Sequence, residues 1–201
     1  SKIKHKVSAV NSEPLFFNGN IIFSDRNGTI YMYSVDQDEL LWKFNFYKKR
    51  YKKFFFIINL FTDSDYLYIS DNIGYIYKLQ IDNGKLLWAK NYGVPFRSNI
   101  KGDLNYLFLS NQDNKLYVIN KSTGEKAVDF ETFPSFLKHK YNSSITLNPF
   151  NKNVYFITSA GEIYSMSYET FTINWLYKIT IRELEKKIDL FFSSPIVYDN
   201  N

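Results

Sequence analysis

The sequence contains no cysteine. That excludes a disulfide framework, a thiol nucleophile and any thiolate metal site. It does not fix the compartment, because an exported chain can avoid cysteine. Histidine occurs only twice, at His5 and His139, far apart and without companions that would make a metal centre. No glycine-rich phosphate loop is present, and no serine, histidine and aspartate follow one another in an order that suggests a nucleophilic triad. Asp63-Ser64-Asp65 stands before an apolar run and reads as a turn rather than a metal cage. Eight glycines and five prolines in 201 residues are too few for a low-complexity chain. No apolar run reaches the roughly 18 residues of a membrane helix. The opening Ser1-Lys2-Ile3-Lys4 is not a signal peptide, yet a processed start is compatible with export. The expectation is a chain without enzymatic activity, cofactor or metal.

Aromatic side chains are abundant, at 19% of the sequence, and they recur in order. Tyr31, Tyr77, Tyr117 and Tyr164 lie 46, 40 and 47 residues apart, and 11 residues after each stands Trp42, Trp88, Val128 or Trp175. Around them run Gly28-Thr29-Ile30-Tyr31, Gly74-Tyr75-Ile76-Tyr77, Asn114-Lys115-Leu116-Tyr117 and Gly161-Glu162-Ile163-Tyr164. A period of about 44 residues, rich in strand formers and punctuated by turn residues, is the signature of a β-propeller blade. The repeats cover roughly residues 18–44, 64–90, 103–130 and 151–177, with a partial fifth at 192–201. The fold class is therefore all-β: about four blades of four strands in a single propeller segment, 1–201, of a larger ring that has up to eight blades.

Within a copy, short apolar strands alternate with turn clusters such as Asn111-Gln112-Asp113-Asn114 and Lys121-Ser122-Thr123-Gly124, which reads as a meander of hairpins. Several particulars follow. Ser24, Ser70 and Ser110 precede their tyrosines by seven residues but Ser159 precedes Tyr164 by five, so the fourth copy is read as carrying a two-residue deletion in its first turn. The tryptophans 11 residues after the tyrosines, with Leu41 and Leu87, are expected to be buried between blades. The uncharged run Phe54–Phe61 is expected to be a covered strand entering the second blade. Arg182–Ile188 reads as a short helical turn.

The arrangement Gly-x-Ile-Tyr-x-Leu with a following Asn-Gly-Lys-Leu-Leu-Trp, best seen over Gly74–Trp88, resembles the PQQ-like, or quinoprotein-type, propeller repeat. Three branches share it. The resemblance is nearest to the outer-membrane assembly lipoproteins of the BamB family, which implies a non-catalytic scaffold that holds a protein partner of the barrel-assembly machinery on the periplasmic side of the outer membrane. A second branch, the lumenal sensing domains of unfolded-protein-response kinases, would place the chain in the endoplasmic reticulum; Asn27, Asn120 and Asn142 each begin a glycosylation acceptor triplet. A third, the quinone-dependent dehydrogenases, uses an adjacent cysteine pair that this sequence lacks.

Two segments are candidate contact sites. In the assembly lipoproteins one inter-blade loop carries an apolar-x-apolar-Arg stretch that meets the partner, and Val94, Phe96 and Arg97 fit it. An exposed aromatic beside arginine has the chemistry of an interface hot spot, so Phe96 is expected to fill a pocket of the partner and Arg97 to pair with a carboxylate. The second segment is Lys48-Lys49-Arg50-Tyr51-Lys52-Lys53, the one dense cluster in a chain of net charge +5. Its charge suits the partner or an anionic membrane surface, and hence peripheral membrane association. One basic loop without a basic face in the other repeats does not form a nucleic-acid groove, so no nucleic acid is expected.

Overall fold

The computed structural model describes residues 8–47, 51, 54–139, 142–179 and 195–198. The basic cluster Lys48, Lys49, Arg50, Lys52 and Lys53, the Arg182–Ile188 turn and most of the partial fifth repeat lie outside the described residues. The chain divides into two compact units, Ser1–Gly93 and Val94–Asn201. Each unit contains two four-stranded antiparallel sheets in simple meander order.

In the first unit, blade 1 consists of β1 (Leu15–Phe17), β2 (Asn20–Ser24), β3 (Thr29–Ser34) and β4 (Glu39–Asn45), and blade 2 of β5 (Ile58–Thr62), β6 (Tyr66–Asp71), β7 (Tyr75–Gln80) and β8 (Leu86–Asn91). In the second unit, blade 3 consists of β9 (Lys101–Gly102), β10 (Tyr106–Ser110), β11 (Leu116–Asn120) and β12 (Lys126–Phe130). Blade 4 consists of β13 (Ile145–Asn148), β14 (Asn153–Ile157), β15 (Glu162–Ser167) and β16 (Thr172–Lys178). The middle strands are buried on both faces. No α-helix occurs among the described residues. Pro195–Tyr198, where the partial fifth repeat begins a strand in the sequence reading, carries no strand; the Ile196 N–H donates to Ser144 Oγ at 2.7 Å.

The repeat has a physical basis in one turn. Asp25, Asp71, Asn111 and Thr158 each stand six residues before the repeat tyrosine. Their side-chain oxygens accept N–H bonds from the turn that follows: Asn27 and Thr29 on Asp25, Ile73 and Tyr75 on Asp71, Asp113 and Lys115 on Asn111, and Glu162 on Thr158. Three residues on, Gly28, Gly74, Asn114 and Gly161 all take positive φ. This is the Asx- or Ser/Thr-turn chemistry that lets a short side chain close a tight hairpin. Its geometry also corrects the reading of the fourth copy. Ser24 pairs with Ile30, Ser70 with Ile76, Ser110 with Leu116 and Ile157 with Ile163. The first turn therefore has one length in all four blades. No residues are deleted; Ile157 simply occupies the position held elsewhere by serine.

The last hairpin of every blade carries a register shift just after the residue that follows the tyrosine, between Met32 and Tyr33, Lys78 and Leu79, Val118 and Ile119, and Ser165 and Met166. Such a bulge re-aims the side chains beyond it. In blade 1 it directs Trp42 onto blade 2, where its Nε1–H donates to the Ile81 carbonyl at 2.7 Å and its ring lies on Gly84. Trp42 is 9% exposed. The other members of the series depart from the expected burial. Trp88 is half-buried, and Trp175, with its whole strand β16, is exposed, at 47%. Leu41 and Leu87 are also exposed, because each points away from the sheet interior. Burial at this position needs a neighbouring turn on top of the ring, and blade 1 has one.

Phe54–Phe61 is likewise divided. The strand begins only at Ile58; Phe54 and Phe55 are exposed, and Phe55 receives the Arg26 guanidinium over its ring. Phe56 is buried, stacked against Tyr47. Tyr47 in turn lies on Gly28 and donates its hydroxyl to Asp71 Oδ2 at 2.7 Å, linking the turns of blades 1 and 2. A Cβ added at Gly28 would stand 2.3 Å from Tyr47 Cε2, at φ +75°. Gly28→Ala is expected to cost about 2–4 kcal/mol, from overpacking and left-handed strain together. Urea denaturation of the variant checks this; an unchanged midpoint would show that Tyr47 is not seated on this turn.

Candidate partner-binding rim

The segment ahead of blade 3 alternates from Phe96 to Ile100. Phe96, Ser98 and Ile100 are buried, whereas Arg97 and Asn99 are half-buried. The Arg97 N–H donates to the Ser110 carbonyl and the Gln112 N–H to the Pro95 carbonyl, so the segment pairs with the end of β10. The corresponding segment ahead of blade 4 runs beside it. Ser98 and Ser143 form a parallel bridge, the Ser143 N–H donates to the Arg97 carbonyl at 2.5 Å, and the Ile145 N–H donates to Asn99 Oδ1 at 3.3 Å.

This pattern corrects the expected exposure of Phe96. Its side chain has no exposed surface and meets Tyr117 edge-on at 5.7 Å between centroids. Phe96 is a core residue of blade 3 because the period of two turns it inward together with Ser98 and Ile100. Val94 and Arg97 remain partly accessible. Period-two alternation from Phe96 to Ile100 was the available sequence signal for this arrangement.

Arg97 is electrostatically unusual. Its Nε and Nη1 are buried and have no hydrogen-bond partner, and burial alone lowers its pKa. His139, from the segment ahead of blade 4, lies within electrostatic range of it. His139 donates to the Ile157 backbone, is 6% exposed, and leaves Nε2 buried without a partner. Burial first, and Arg97 second, lower the His139 pKa from 6.5 to about 4. In the sequence His139 has no companion; only the chain path brings it beside Arg97.

Next to this pair, residues 131–139 form a loop held at both ends. The Phe133 N–H donates to the Tyr164 hydroxyl, and the Leu137 carbonyl accepts from Asn114 Nδ2 and Ser159 Oγ. Phe133 and Phe136 stand exposed between these anchors. Asp63, from the acidic pair, caps its own turn by accepting the Tyr66 N–H. Among the described residues no group of three or more His, Asp or Glu is placed to hold a metal.

Four-stranded meanders repeated with one turn, one bulge and one tryptophan position define a propeller segment of the PQQ-like repeat class. A family model described as outer membrane protein assembly factor BamB matches residues 26–201, and the chain belongs to that family. No curated protein matches the sequence. Among solved structures, BamB from Moraxella catarrhalis superposes with a TM-score of 0.69 at 12% identity, over 86% of this chain and 54% of that one. Quinohemoprotein alcohol dehydrogenase from Comamonas testosteroni does so with a TM-score of 0.70, also at 12% identity, over 86% of this chain and 35% of that one. The chain thus spans about half of the first and a third of the second. At such identity these likenesses establish the fold and leave the choice between scaffold and enzyme to the residues.

Proposed function

We propose that the chain is part of a non-catalytic scaffold that binds a protein component of β-barrel assembly on the periplasmic side of the outer membrane. Family membership over residues 26–201 carries this reading. The use of the side chains supports it: the repeat tyrosines, the turn aspartates and Trp42 are all committed to packing or hairpin closure. The contact surface is the rim around residues 93–97, with Val94 and Arg97 facing the partner and Phe96 supporting them from within. A rigid sheet that displays short loops is a common basis for such binding. The basic segment Lys48–Lys53 is a second contact, to the same partner or to anionic lipid.

The test is capture of barrel-assembly components by the full-length protein. Arg97→Ala is expected to leave the fold intact and weaken capture more than tenfold, about 1.4 kcal/mol or more. Phe96→Ala should instead lose about 3–5 kcal/mol of stability. Undiminished capture by folded Arg97→Ala would place the interface elsewhere. The dehydrogenase reading, favoured by the second structural likeness, is separated by dialysis against quinone cofactor and calcium. Retention of both by the purified protein would replace the scaffold reading.

A further inference from the structure

The equivalent place in the two units is built differently. In the first unit the Asn11 N–H donates to the Ser24 carbonyl, as Arg97 does to Ser110. The Phe56 N–H donates to the Arg26 carbonyl, as His139 does to Gln112. Asn11 and Phe56 thus correspond to Arg97 and His139. In the first unit the pair is self-sufficient: Asn11 Nδ2 donates to the Phe56 carbonyl, and the Phe56 ring is packed against Tyr47. An amide and a phenyl ring satisfy this seam of the fold.

In the second unit the same seam holds two ionisable groups with three buried nitrogens unpaired, Arg97 Nε, Arg97 Nη1 and His139 Nε2. Leaving buried polar groups unsatisfied is unfavourable, and more so for a charged group. Packing alone does not require that cost, since asparagine and phenylalanine avoid it in the other unit. The charged group that bears on His139 is Arg97; its other neighbours across the seam, the Gln112 and Ile157 backbone groups, are neutral. The nearest ion pair in sequence, Asp113 with Lys138, is closed on itself at 3.0 Å. Among the described residues no carboxylate hydrogen-bonds the three nitrogens, and an anion would satisfy them.

We propose that Arg97 and His139 form a binding site for a small carboxylate. His139 donates one ring proton to the Ile157 backbone, so Nε2 carries a lone pair when the ring is neutral. An anion between Nε2 and the guanidinium requires that nitrogen to be protonated. The carboxylate therefore binds together with a proton, and its affinity rises about tenfold per pH unit as pH falls from about 7 to about 5. A free carboxylate and an Asp or Glu side chain of a bound protein offer the same chemistry. The site stands whether or not the rim around residues 93–97 docks a partner.

The test follows the His139 ring by NMR during titration with acetate, and in parallel with a blocked tripeptide containing one aspartate. The expected result is that His139 titrates nearer its ordinary value as ligand is added, and that binding tightens on acidification. A response to both probes identifies a free-anion site; a response to the peptide alone identifies a side-chain receptor. The control is Arg97→Asn with His139→Phe, which copies the pair that already closes the first unit. It should fold and no longer gain thermal stability from acetate at about pH 5. The inference is overturned if neither probe moves His139, or if the double variant is stabilised by acetate as much as the wild type. Undiminished partner capture by Arg97→Ala, with an intact acetate response in the wild type, would instead count against the docking reading alone.

Discussion

Trp42→Ala is expected to cost about 3–5 kcal/mol, the range for deleting a large buried aromatic. The side chain is nearly enclosed, its Nε1–H has a backbone acceptor at Ile81, and its ring rests on the positive-φ Gly84. Truncation removes the ring contacts, leaves a cavity between blades 1 and 2, and strips a buried carbonyl of its donor. The same change at Trp175 should cost far less, about 1 kcal/mol, because that ring is half exposed and packs on its own blade against Tyr155. Chemical denaturation of both variants measures the contrast. Equal losses at the two positions would mean that a neighbouring blade covers Trp175 in solution.

Acidification is expected to remove about 3 kcal/mol from the second unit between pH 6.5 and 4 through His139 alone. In the folded state burial holds its pKa at about 4, against 6.5 for the free side chain. As pH falls the unfolded chain takes up the proton first. The stability this group contributes is thus complete above pH 6.5 and is lost progressively down to pH 4, at about 1.4 kcal/mol for each pH unit in the window. Asp71 works in the opposite sense in the first unit. Burial raises its pKa, so its contribution declines as pH rises through the carboxylate range. Comparing wild type with His139→Phe across pH, in a buffer without carboxylate, isolates the histidine. Parallel curves for the two proteins would show that His139 is not buried in the neutral form.

The architecture was legible in the sequence because it is written four times. A tyrosine at a fixed distance from a turn cluster survives differences in any single copy. A single residue type does not mark a position in the repeat. Serine suggested a deletion in the fourth copy, but the determinant is the turn-closing oxygen on Asp25, Asp71, Asn111 or Thr158. Tryptophan suggested burial, but burial depends on what the next turn offers. Phe96 beside Arg97 suggested an exposed anchor, although the alternation through Ser98 and Ile100 turns it inward. The pairing of Arg97 with His139 was not legible at all. These residues are 42 positions apart and meet only because the segments ahead of blades 3 and 4 run parallel.

The seating of Trp42 on Gly84 has a consequence for how such a chain can be rearranged by recombination. At the position of Gly84, blade 4 has Phe171, also at positive φ, and its ring meets Tyr106 of blade 3 edge-on. Blade 3 in turn has Val128 where blade 1 has Trp42, and Val128 and Phe171 join one apolar cluster. Bulk lost on one blade is matched by bulk gained on the next. Unequal crossover that placed blade 4 after blade 1 would set a phenyl ring where the Trp42 indole requires a bare backbone. The repeats are therefore alike in backbone but not interchangeable in order, and only exchanges that move adjoining blades together preserve the fit.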